Sequence, residues 1–119
     1  MSKIKIRVFV ENLAEKRRWE TIAILQDEML KYQEEDQTKV ILNLKNYSLK
    51  RENDKINMYY LFQKGKEKKG IIKIKEYEKN LDIKIKTTKL ERKNKNIEIK
   101  YIIENEEFLY KIEEMKWVY

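Results

Sequence analysis

Leu81-Asp82-Ile83-Lys84-Ile85-Lys86-Thr87 alternates apolar and charged side chains with period two. On an extended strand this sends Leu81, Ile83 and Ile85 to one face and Asp82, Lys84 and Lys86 to the other. A helix would scatter the same residues around its circumference. The pattern recurs upstream at Ile72 and Ile74, and downstream at Ile97, Ile99 and Tyr101. Strands wetted on one face and buried on the other read this way, so a run of antiparallel strands is expected. The shared pattern places Ile4, Ile6, Val8, Ile72, Ile74, Leu81, Ile83, Ile85, Ile97, Ile99 and Tyr101 in one core. Ile83→Asp is expected to unfold the domain by burying an unpaired charge at its centre.

The flanking chain extends the pattern. Residues 3–10 alternate Ile4, Ile6, Val8 and Val10 against Lys3, Lys5 and Arg7. Residues 40–44 read as a buried strand, with a tight turn at Asn46 and Tyr47, Leu49 and Arg51 on one face of the next strand. Ile56, Met58, Tyr60 and Phe62 share a face of another. Residues 64–70 hold both glycines and read as an exposed loop, and residues 90–96 as a second basic loop. Glu104-Asn105-Glu106 closes a hairpin onto Phe108, Tyr110 and Ile112. The apolar positions then shift parity to Met115 and Trp117, which predicts a β-bulge near Glu113. Residues 19–33 fit two readings. A helix would align Ile22, Leu25, Met29 and Tyr32 on one stripe, giving an α+β fold. Two strands bent at Gln26-Asp27-Glu28 would keep the chain all-β.

A chain of 119 residues makes one domain, residues 1–119. Its 41% hydrophobic and 11% aromatic content is enough for a folded core. No apolar run is long enough to span a bilayer, and the start of the chain lacks a signal-peptide core, so no membrane partner and a cytoplasmic location are expected. Cysteine and histidine are absent. That excludes disulfides, thiolate or imidazole metal sites, thiol nucleophiles and serine–histidine machinery. No calcium-loop motif occurs, and two glycines make no glycine-rich phosphate loop. No cofactor and no metal are expected. Carboxylate neighbours such as Glu106-Glu107 and Glu113-Glu114 point to opposite faces of a strand, which is poor geometry for acid/base work. The sequence therefore reads as a non-enzyme.

About ten short segments joined by short polar turns form an up-and-down meander, and closure into a barrel removes its exposed edges. Three stretches carry a family resemblance: residues 70–77 (Gly-Ile-Ile-Lys-Ile-Lys-Glu-Tyr), residues 81–90, and Ile97-Glu98-Ile99-Lys100-Tyr101 before the final hairpin. In these and in its order of segments the chain resembles the YwiB-like family of uncharacterised bacterial proteins with a calycin-like, lipocalin-type β-barrel. The resemblance implies an all-β single barrel and resolves residues 19–33 as strands. It implies no catalytic or binding residue.

Two functions of different class are compatible with these residues. A barrel of this size can enclose a small apolar or anionic ligand. Tyr47, Tyr60, Phe62, Tyr101, Phe108 and Tyr110 would line it, and Arg51 would anchor an anionic head group. The plainer alternative is that the aromatics fill a packed core and Arg51 sits in solvent at a strand end. The second function is contact with an anionic polymer, RNA or DNA. The net charge is +7, from 28 Lys and Arg against 21 Asp and Glu. A/T-rich codons alone also raise lysine, so the charge counts only where it clusters. In a meander successive turns alternate between the barrel's ends. Lys64, Lys66, Lys68, Lys69, Arg92, Lys93 and Lys95, with Lys45 nearby, would then form one basic rim, opposite the acidic turns around residues 35, 53, 78 and 105. Such a rim would contact a polyanion or steer an anionic ligand inward. Tyr59 and Tyr77 are the exposed aromatics available for base stacking. The sequence sets no oligomeric state.

Overall fold

A computed structural model describes residues 2–115. The chain is all-β, with ten antiparallel strands in sequence order: β1 Ser2–Glu11, β2 Lys16–Gln26, β3 Met29–Gln33, β4 Lys39–Asn43, β5 Ser48–Glu52, β6 Ile56–Leu61, β7 Glu67–Ile74, β8 Lys79–Lys93, β9 Asn96–Ile103 and β10 Glu106–Met115. Each strand pairs with its neighbours in sequence, and β1 closes on β10, making a barrel. Residues 19–33 are strands, as expected. The bend between β2 and β3 is a two-residue turn with Asp27 and Glu28 both at positive φ, 51° and 64°, the type I′ geometry that matches strand twist. Among the described residues no helix is long and apolar enough to cross a membrane.

Inward positions of most strands supply the core. Ile6, Val8, Ala23, Leu42, Ile85, Ile99 and Ile112 are fully enclosed. The alternation of β8 holds, but its start does not reach the centre. Leu81 is 38% exposed and Ile83 is half-buried. Ile74 and Ile72 are also only partly covered, so the expected core is shifted toward Ile85 and Thr87. The position where a buried charge would be most damaging is therefore Ile85 rather than Ile83.

Several boundaries differ from the sequence reading. Gly70 is not in a loop. It is a buried residue of β7, paired with Ile83, and a Cβ there would lie 2.7 Å from Ile85 Cδ1 and 3.0 Å from the Tyr59 carbonyl oxygen. β8 runs on to Lys93, so Leu90 and Arg92 are strand residues, and the connection to β9 is only Asn94-Lys95. The left-handed residue of the β4–β5 turn is Tyr47, φ 56°, rather than Asn46. Tyr47 therefore precedes β5 instead of sharing its face with Leu49 and Arg51. Pairing of β10 with β1 is unbroken from Leu109 to Met115, so no bulge occurs at Glu113. The register shift lies in β8 between Thr87 and Lys89. Trp117 lies outside the described residues.

The turns fall at two ends because the meander is unbroken. One end carries the connections at residues 12–15, 34–38, 53–55, 75–78 and 104–105. The other carries those at 27–28, 44–47, 62–66 and 94–95. This second end is closed. Arg92 shares the inward side of its strand pair with Ile97 and reaches across the barrel, donating from Nη1 to Glu28 Oε2 at 3.2 Å and to the Leu44 carbonyl at 3.4 Å. Its Nε donates to the Asn94 carbonyl at 2.8 Å.

Candidate functional site

The interior is packed at the closed end and hollow near the other. There a cup of about 190 Å³ opens between the turn at residues 12–15 and the wall formed by β5, β6, β9 and β10. Alternation delivers its lining: Leu49 and Arg51 from β5, Met58 and Tyr60 from β6, Tyr101 from β9, and Phe108 and Tyr110 from β10. Aromatic rings meet across the barrel. Tyr101 stacks on Phe108 with centroids 5.2 Å apart and planes at 9°, and Tyr60 meets Tyr101 edge-on at 6.1 Å. These are the preferred offset and T-shaped arrangements.

One polar network crosses the cup. Glu34 begins the β3–β4 turn, and its side chain is 3% exposed. Its Oε2 accepts from Arg51 Nη2 at 2.5 Å and lies 3.8 Å from Arg17 Nη2. Arg17 also meets Glu15 at 3.2 Å and lies over the Trp19 ring, 4.9 Å from its centroid. A buried carboxylate persists only when paired, and these two arginines pair it. Burial opposes the charge on Arg51, but the Glu34 carboxylate more than restores it and raises its pKa. Arg51 is still not fully satisfied. Among the described residues Nη1 reaches only the Met58 sulfur at 3.5 Å, and Nε–H is buried with no acceptor. Beneath, the hydroxyls of Tyr32 and Tyr110 share a short hydrogen bond. Burial pushes the pKa of Tyr32, Tyr101 and Tyr110 up, and that of Tyr60 as well, with Arg51 opposing the rise at Tyr60 and Tyr101.

Of the residues singled out from sequence, Arg51, Tyr60, Tyr101 and Tyr110 line this cup together with Phe108. Phe62 is buried beside Tyr101, 4.9 Å between centroids, and Tyr47 is not part of the lining. Arg51 is neither a solvent-exposed strand end nor a free anchor, because Glu34 holds it. Glu34 and Arg17 were missed. Both sit at strand ends among other charges, and nothing in the local pattern distinguishes Glu34. The signal would have been the parity of Arg17 with Trp19 and Ala23, which marks it as inward-facing.

The basic residues divide. The loops holding Lys64, Lys66 and Lys95 fall at one end, with Lys93 at the end of β8 and Lys45 near them. Arg92 is turned inward onto Glu28, and Lys95 meets Glu114 at 3.1 Å. Lys68 and Lys69 belong to β7, and Lys68 pairs with Ile85 on the inward side. Asp27 and Glu28 interrupt the rim. The cup opens at the opposite, acidic end, so the rim does not guide an anion into it. Tyr59 is 43% exposed on the outer wall, and Tyr77 is 71% exposed at the acidic end. Neither exposed tyrosine sits with the rim lysines.

No family model matches the sequence, and no curated protein matches it. Among solved structures, the chain is similar to the crystal structure of the YwiB protein from Bacillus subtilis. The TM-score is 0.59 at 14% identity, over 96% of this chain and 91% of that one. That likeness supports the fold: a YwiB-like, all-β barrel.

Proposed function

We propose that this is a calycin-type binding protein that acts in the cytoplasm and holds one small molecule in the aromatic cup without catalysing its conversion. The observation that carries the reading is the buried Nε–H of Arg51, which has no acceptor in a cup walled by aromatic rings. A buried donor left unmade costs about 1–3 kcal/mol, and a ligand oxygen placed there recovers it. Size narrows the ligand. A dry cavity of about 150 Å³ accepts benzene, so a cup of about 190 Å³ suits one ring with a short polar substituent. Arg51, although held by Glu34 through Nη2, still offers its Nε–H to a carboxylate or comparable acceptor on that substituent. Native mass spectrometry of the purified protein, before and after denaturation, tests occupancy directly. Titration with benzoate, benzyl alcohol and benzylamine, read at the Arg51 Nε resonance, tests the class. Benzoate is expected to bind tightest and to move that resonance. A bare polypeptide mass combined with no movement of that resonance by any of the three removes the reading.

A second reading is favoured by the gathering of Lys45, Lys64, Lys66, Lys93 and Lys95 at the closed end. It is weak contact with RNA or DNA. Such binding weakens steeply as salt rises, because phosphate contacts release counterions. Binding unaffected by salt would remove it.

A further inference from the structure

The barrel wall is incomplete at one place. β2 pairs with β1 along residues 16–25 but meets β3 only at Ile24↔Lys31, Leu25↔Leu30 and Gln26↔Met29. Among the described residues, 16–23 therefore present an unpaired edge on the β3 side. Beside that edge runs a groove of about 390 Å³ between β2 and the β3–β4 pair. The side chains around it alternate in character. Tyr32, Val40 and Thr21 form the base, on the inward parity of their strands. The outward positions on the banks are Ile22, Ile24, Lys31, Lys39 and Ile41, and β2 carries exposed Lys16 and Arg18 beyond the groove along the same edge. Ile22 stands among them, 44% exposed. Glu20, the one acidic outward residue of this edge, faces Arg7 at 3.9 Å.

We propose that this edge receives an extended segment of a partner protein as an added strand, with apolar side chains alternating with acidic ones. Three observations carry it. An unpaired edge offers main-chain donors and acceptors at every second residue, the basis of strand addition. Its length exceeds an ordinary strand, so a whole segment can pair. The two faces of the gap also differ in charge: the base is uncharged, and the outward side adds lysine and arginine to its isoleucines. Side chains of an added strand pointing inward meet Tyr32 and Val40, and those pointing outward meet Lys16, Arg18, Lys31 and Lys39. A second copy of this chain is the poorer occupant, because it would set its own Lys16 and Arg18 against these. The site adjoins the aromatic cup through Arg17 and Tyr32 but does not depend on a ligand there.

The probe is a synthetic peptide of alternating valine and glutamate, compared with its valine–lysine counterpart. Amide hydrogen exchange of residues 16–23 is the readout. The glutamate peptide is expected to protect alternate amides along this edge and to bind at least roughly tenfold more tightly than the lysine peptide. Arg18→Glu combined with Lys31→Glu, both on exposed side chains, is expected to reverse that preference while leaving the fold intact. Equal affinity for the two peptides overturns the proposal, as does absence of protection at millimolar glutamate peptide. Protection that appears without peptide and grows with protein concentration overturns it in favour of self-pairing.

Discussion

Gly70 shows how one missing side chain fixes the wall of the barrel. The Ile85 side chain and the Tyr59 carbonyl occupy the space a Cβ would need. A carbonyl within the sheet cannot step aside as a flexible side chain can. Gly70→Ala is expected to cost about 1–3 kcal/mol in denaturant unfolding, an overpacking penalty. An unchanged midpoint would show that the strands shift freely there. At Gly65 the space is open and only its φ of 75° opposes a side chain, so Gly65→Ala should cost about 1–2 kcal/mol. The buried tyrosines make a second residue-scale prediction. Burial holds the hydroxyls of Tyr32, Tyr101 and Tyr110 protonated above the ordinary tyrosine pKa of 10. Their folded-state pKa is raised, so the stability they contribute is complete below pH 10 and falls as pH rises beyond it. Tyrosinate absorbance of these three should appear only as the protein unfolds. Full titration of all eight tyrosines with native circular dichroism intact would contradict this.

At the scale of the element, period-two alternation made the strands legible, but their ends were not. Turn residues betrayed the type I′ hairpins only where Asp or Asn stood in them. Asp27-Glu28 and Glu104-Asn105 both place two non-glycine residues at positive φ. Glutamate is a poor choice there, since its Cβ meets the following carbonyl. Glu104→Asn with Asn105→Gly should raise stability by about 1 kcal/mol, seen as a higher denaturant midpoint with unchanged slope. No gain would mean that Glu104 makes a compensating contact. The basic stretch at residues 90–93 looks like a loop in the sequence because charged residues interrupt the apolar alternation. The bulge at Thr87 and Lys89 resets the parity instead, so Leu90 and Arg92 turn inward and β8 continues. A pattern broken by a bulge looks like a pattern that has ended. The inward parity of Arg17 with Trp19 and Ala23 is visible in the sequence, but the buried carboxylate it meets comes from another turn and is not.

For the whole molecule, the meander order was readable from the number of segments and the shortness of their turns. The closure at Arg92, and the choice of the acidic end as the open one, were not readable, because they depend on long-range side-chain pairing. That polarity has a measurable effect. An anion approaching the cup passes Glu35, Asp36, Glu104 and Glu106, while its partner Arg51 lies partly buried and is screened less by salt. Benzoate affinity is therefore expected to hold or rise modestly between low and physiological salt. Polyanion contact at the other end must fall over the same range. Lys66→Glu with Lys93→Glu should weaken that contact and leave benzoate binding unchanged. Parallel loss of both would place the two ligands on one surface.

The uneven pairing around the barrel divides its unfolding. β7 through β10, β1 and β2 are joined by long ladders, whereas β3 to β6 are short. Strand pairing joins the short group to the rest at the three pairs between β2 and β3, and at Ile56↔Ile74 through Tyr59↔Ile71 between β6 and β7. Such a ring behaves as two cooperative arcs with two weak hinges. Amides of β3 to β6 should exchange through a partial opening that leaves the larger arc protected. The aromatic cup draws Arg51 and Tyr60 from the smaller arc and Tyr101, Phe108 and Tyr110 from the larger. A molecule lodged between them acts as a rivet. Its binding energy is spent on keeping the smaller arc shut, so the first sign of occupancy is slower exchange that extends to β3 and β4, whose residues do not line the cup.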